Sequence, residues 1–298
     1  MCAAASRAGI RDILTGDIFR RVYHSNGGEP VIDPALMTSL VQTGHVYDLG
    51  QPLFPGMPVS SFHPPYIFSL MVRHGDQVHP NGCEASNEVI VLSGHTGTHL
   101  DALGHVAEHG RLLAGQSATD AQRGGRGLTT LGIETVAPII ARGVLLDVPA
   151  YRGVDALDGG EPVTAEDLDA VAARQGTEVG PGDVVLIRTG WIRHWSDPAA
   201  YRGDQTGEPG PDASAAEWLA ARQVRAAGSD TIAFEARSAG QAALEAHAIL
   251  IARNGIHIME LVNCEELARD QAYTFLFIAM PLKIVGATGS PVRPIALT

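Results

Sequence analysis

The chain has 298 residues, is 45% hydrophobic and 18% charged, and carries 21 basic against 33 acidic residues, a net charge of −12. This composition suits a folded protein with a sizeable core. The acidic balance argues against non-specific nucleic-acid binding, which needs basic surface to replace counterions.

The three cysteines, Cys2, Cys83 and Cys264, are widely spaced and form neither a CxxC site nor a disulfide framework. A reducing, cytoplasmic setting is therefore expected. The opening stretch "MCAAASRAGIRDILTGDIF" lacks the apolar run of a secretion signal. Residues 1–45 mix charge and polarity and read as an N-terminal arm; 46–298 read as one domain.

"HVYDL" is a short strand candidate, followed by the proline-rich loop "GQPLFPGMPV". "EVIVLSGHTGTHLD" reads as a β-branched strand running into a histidine cluster, and "RGVLLDV" as a buried strand. Thr164 is placed to cap a helix, "TAEDLDAVAARQG", with acids in its first turn and glycine after its end. "GDVVLIRTGW" is a strong strand, "ASAAEWLAARQVRAAG" an amphipathic helix ending at Gly228, and "SDTIAFE" a strand after it. "EAHAILIARNG" reads as a helix closed by Gly255, before the strands "IHIMELVN" and "YTFLFIAMPLKI". Pro281 and Lys283 cut this last run too short for a membrane span. Interleaved strands and helices make the class α/β, a mixed sheet with flanking helices. No GxGxxG or GxxxxGK[ST] loop is present, and "GATGSP" lacks the lysine of a phosphate loop.

The stretch "HTGTHLDALGH", His95 to His105, concentrates metal-type ligands. On a helix Asp101 would lie far around from His99, and Gly97 disfavours helix. On a strand His95, His99 and Asp101 share one face. A straight strand would hold the two histidines roughly 13 Å apart at Cα, so a bend at Gly97 is expected. Imidazole and carboxylate without thiolate suit Zn²⁺, Mn²⁺ or Fe²⁺ with open positions for water. His105, beyond the turn "ALG", is a fourth ligand or a free base.

His24, His45, His74, His79, His194 and His257 stand alone and read as ordinary surface or core histidines. Phe62, His63, Tyr66, Phe68 and Trp191 are candidates for a substrate pocket, although core packing or loop polarity accounts for them equally well. His247 and Glu260 form a second pair, meaningful only if the fold brings them to the first cluster.

"HTGTHLDALGH" resembles the HxGTHxDxxxH signature of the cyclase family of metal-dependent hydrolases, which includes kynurenine formamidases and isatin hydrolases. "VYDLGQPLFPGMPV", "GDVVLIRTGW", "GSDTIAFE" and "HAILIARNGIHIMELVN" are similar to the family's other blocks, so the likeness runs from about Tyr47 to the C-terminus. The "DALGH" form is closer to isatin hydrolase-like members. The resemblance implies a swivelling β/β/α fold and a homodimer or homotetramer. It implies His95, His99 and Asp101 as the first ligands of a zinc or manganese site, His247 and Glu260 as ligands of a second ion, and His105 as acid/base. One or two ions are both compatible with the family. The expected activity is hydrolysis of an amide, lactam or lactone bond in a small-molecule substrate, with no nucleic-acid or membrane partner. The rival readings are a cyclase or dehydratase acting without net hydrolysis, and a non-catalytic metal-binding protein.

Overall fold

The computed structural model describes Thr38, Leu40 and residues 42–122, 124–240 and 244–298. The arm expected over residues 1–45 therefore lies almost wholly outside the described residues.

The described strands, in chain order, are β1 (Val46–Asp48), β2 (Ile67–Val72), β3 (Asn87–Val91), β4 (His99–Asp101), β5 (Ile139–Asp147), β6 (Pro162–Val163), β7 (Val184–Arg188), β8 (Gly210–Pro211), β9 (Ala226–Ser229), β10 (His257–Glu260), β11 (Thr274–Ala279), β12 (Gly289–Pro291) and β13 (Ile295–Leu297). Nine of them form one mixed sheet in the order β1-β13-β11-β5-β7-β9-β10-β4-β12. Its centre, β5-β7-β9-β10, is parallel, and the strands outside it pair antiparallel. The fold is the mixed α/β sheet with flanking helices that the sequence implies.

Parallel central strands need cover on both faces and so read as continuous apolar runs. In β5 and β7, Val144, Leu146, Val185 and Ile187 face one core; Leu145, Val184 and Leu186 face the other. Against the first core pack α1 (Ala165–Gln175), α2 (Ala213–Ala221) and α3 (Glu245–His247), which continues as a π-helical segment, Ala248–Arg253. Thr164 caps α1 reciprocally with Asp167, and Gly176 closes it in the left-handed conformation, as its sequence predicts.

Three expectations need correction. The strand "EVIV" does not run into the histidine cluster: β3 ends at Val91 and pairs with β2 in a separate two-stranded ribbon. The helix expected to reach Gly228 stops at Ala221, and Gln223 takes a left-handed turn (φ 54°) into β9, which contains Gly228. The strand expected at "SDTIAFE" is therefore displaced toward the N-terminus, and its later residues form a turn with Phe234 at φ 57°.

Candidate functional site

β4 lies between β10 and β12 in the sheet. Its register sets His99 opposite Glu260 and Leu100 opposite Met259. Side chains opposite one another share a face, and alternate residues along a strand do too. So His99, Asp101 and Glu260 project together, while Leu100 and Met259 are buried in the core behind them.

The expected bend is present. Gly97 has φ +62°, and a Cβ there would fall 2.3 Å from Leu53 Cδ2. The turn through residues 94–98 brings the His95 and His99 rings to a 5.1 Å centroid separation. His105 stacks on His95 at 4.2 Å, and the His247 ring is 6.3 Å from His105. His247 Nε2 is 3.7 Å from Asp101 Oδ2 and 3.3 Å from Glu260 Oε1. The helix and strand that carry His247 and Glu260 thus meet the motif.

Two of these imidazoles have their tautomer fixed. His99 Nδ1 lies 2.8 Å from the Gly97 carbonyl, and His247 Nδ1 lies 2.8 Å from Glu235 Oε1. A carbonyl or carboxylate only accepts, so both Nδ1 atoms carry the hydrogen. With neutral rings, each Nε2 then presents a lone pair toward carboxylate oxygens. His99 Nε2 is 3.2 Å from Glu260 Oε2 and 3.6 Å from Asp101 Oδ1. His99 Nε2 and both Asp101 oxygens are buried without a hydrogen-bond partner, although His95 Nδ1 approaches Asp101 Oδ1 to 2.8 Å. That approach is close in distance but not aligned as a hydrogen bond.

Lone pairs facing carboxylates in a buried site repel unless positive charge lies between them. A divalent cation meets this need, so the donor set fits a metal. Among the described residues, two groups have donor atoms within 4.8 Å of one another: His95, Asp101 and His105, and His99, Asp101 and Glu260. Asp101 belongs to both.

Burial works against charge on Asp101 and Glu260, but the surrounding imidazoles outweigh it and hold both carboxyls below the usual range. Burial also pushes the His105 imidazole down to about 4; neighbouring His95 and His247 act in the same direction, and Asp101 opposes them.

Several supporting residues were not legible as such. Glu235 holds His247 and also accepts the Ala246 amide. Thr288 Oγ1 is 2.9 Å from His95 Nε2, and a Cβ on Gly289 would fall 2.6 Å from His95 Cε1. "GATGSP" is therefore the close-packed back of the histidine cluster. His257, read as an isolated histidine, donates from Nδ1 to the Asp101 carbonyl at 2.8 Å.

Of the pocket candidates, His63 stacks on His95 at 5.1 Å. Phe62 is 82% exposed, and Phe68 sits on the ribbon. Tyr66 is buried; Trp191 is buried too, with its indole donating to the Tyr201 carbonyl. Trp195, not singled out from sequence, meets Phe54 edge-on at 6.2 Å and has a buried indole nitrogen without a partner.

An α/β sheet that gathers buried histidines and carboxylates around one shared aspartate defines a metal-binding protein. A family model described as putative cyclase matches residues 47–236. Isatin hydrolase from Roseibium aggregatum is 33% identical over 215 residues, covering 70% of this chain and 73% of that protein. The crystal structure of a novel cyclase superposes with a TM-score of 0.80 at 29% identity, covering 90% of this chain and 92% of that one. Isatin hydrolase A from Ralstonia solanacearum superposes at 0.69 with 28% identity, covering 92% and 100%. The chain belongs to the cyclase family and is a hydrolase of that family. Among the described residues, no helix is long and apolar enough to cross a membrane.

Proposed function

We propose that this protein is a divalent-metal hydrolase that opens an amide, lactam or lactone-type carbonyl bond, with cyclic aromatic lactams of the isatin type the first class to assay. The observation that carries the reading is the pair of fixed imidazoles, His99 and His247, whose Nε2 atoms face Asp101 and Glu260. The similarity to isatin hydrolases supports the substrate class.

His95, His99, Asp101, His247 and Glu260 would hold zinc or manganese, and the sharing of Asp101 between two donor groups favours two ions. When bound, the metal supplies Lewis acidity that polarises a carbonyl and lowers the pKa of water. His105 is the proton carrier in this reading: it stands beside His95 and His247 and receives the proton of the attacking water. It then returns that proton to the leaving nitrogen or oxygen. His63 stacks over His95 at the substrate side. The unpartnered Gln51 Nε2, His63 Nδ1 and Trp195 Nε1 are available to orient substrate acceptors. Gln51 stands on the motif through its amide, which donates to Thr98 Oγ1 at 2.9 Å.

The test is metal content and turnover measured on the same preparation. His99→Ala should lose both. His105→Gln should keep its metal and fold and lose roughly 10²–10⁴-fold in rate. Metal lost with activity would make His105 a ligand. In oxygen-18 water the product carboxylate must carry solvent oxygen; a product without it would exclude hydrolysis.

A further inference from the structure

The β2–β3 ribbon has no partner in the main sheet. In its register Ile67 faces Val91 and Ser69 faces Val89 on one side, while Phe68 faces Ile90 and Leu70 faces Glu88 on the other. Both faces are therefore largely apolar, and both are in solvent: Ile67, Phe68, Leu70, Val89, Ile90 and Val91 are 42–48% exposed and Met71 is 66% exposed. A strand pair that packs on its own domain buries one face and alternates apolar with polar. An isolated two-stranded ribbon is marginal in water. This one does neither of the things that would stabilise it within a single copy.

We propose that the ribbon is the docking element of a homodimer, each copy's ribbon packing against the other copy so that both of its faces are covered. The seven side chains expose apolar surface on the order of 700 Å², above the ~300–600 Å² of the largest patch on a typical monomer and close to the ~800 Å² per partner of a stable interface. A two-fold contact uses the same patch on both copies, so one apolar ribbon supplies both halves. An anionic lipid surface is disfavoured by Glu84 and Glu88 on the ribbon and by the net charge of −12.

The ribbon is also joined to the candidate site at both roots. β2 starts four residues after His63, β3 ends four residues before His95, and these two rings stack. Docking would hold both roots in place.

The experiment is sedimentation or light scattering of the full chain at micromolar concentrations, with hydrogen exchange of the same samples. The wild type should run at twice the 31.4 kDa chain mass. Amides of residues 67–72 and 87–91 should be protected and should lose protection on dilution. Phe68→Ser and Val89→Lys, one on each face, should each weaken the dimer at least about tenfold while keeping the wild-type far-UV spectrum. Both positions are already in water in one copy, so folding should survive; if a variant does unfold, the dilution series on the wild type still decides. Several results would overturn the proposal: a monomeric wild type, a dimer that both substitutions leave intact, a monomer whose ribbon amides lose protection on deletion of residues 1–37, or a monomer that sediments with neutral lipid vesicles.

Discussion

Replacing Glu235 tests the logic of the metal site without removing a donor from it. Its Oε1 accepts the His247 Nδ1–H at 2.8 Å, and its other oxygen accepts the Ala246 amide. Glu235 is 2% exposed and His247 3%, so no solvent competes for that contact. Without the carboxylate, nothing fixes which His247 nitrogen carries the hydrogen, and Nε2 no longer has to face Asp101 and Glu260. Carboxylates in this position contribute about 10–100-fold in metal affinity, or roughly 1.4–2.8 kcal/mol. Glu235→Ala should therefore bind zinc or manganese 10–100-fold more weakly in a competition titration against a chelator. Glu235→Gln should recover most of the loss, because an amide oxygen still accepts from Nδ1–H. Thermal melts of the metal-free variants report separately on the lost Ala246 contact. Wild-type affinity in Glu235→Ala would mean that packing alone holds the ring, through neighbours such as Phe234 at 6.4 Å. A glutamine variant as weak as the alanine one would make charge, not orientation, the operative factor.

Gly289→Ala should displace His95 and lower metal content with little change in the melt, since the added methyl would fall 2.6 Å from His95 Cε1; full metal content would show that the ring can yield. Gly97→Ala combines a left-handed backbone with a clash on Leu53, so a loss of about 1–3 kcal/mol is expected in urea unfolding. A neutral result there would remove the bend from the argument. Burial pushes the Glu208 carboxyl from 4.5 up to about 7 against the pull of Arg237. Below pH 4.5 it is protonated in both folded and unfolded chains and contributes nothing. As pH rises toward 7 the unfolded chain ionises first, so stability falls by up to roughly 3 kcal/mol. Urea unfolding across pH should show that fall shrink in Glu208→Gln; an unchanged slope would refute it.

What was legible in the sequence was local. Thr164, Asp167 and Gly176 mark the ends of α1 because capping is settled within a few residues. The bend at Gly97 followed from His95 and His99 needing one site within four residues of chain, and the structure has it. His247 and Glu260 came only through the family resemblance, since nothing within their own segments points to residue 101. Glu235, Thr288, Gly289 and His257 carried no local signal at all, because their partners are set by sheet order. The ribbon was misread for the same reason: "EVIV" has the composition of a buried strand, and only its exposure on both faces distinguishes it.

The residues that specify the site are partly those that take no part in its chemistry. Leu100 and Met259 face each other in the apolar core behind β4 and β10. Strand side chains alternate with a period of two, so a one-residue slip of β4 would turn His99 and Asp101 into that core and Leu100 outward. Burying an imidazole and a carboxylate there without partners costs several kcal/mol, which no arrangement of the remaining ligands would recover. The register that sets His99 opposite Glu260 and Asp101 opposite Gly289 is therefore enforced from the apolar side of the sheet. Glycine at 289 in turn leaves room for the His95 ring. The metal-type donors converge because the core behind them admits one register.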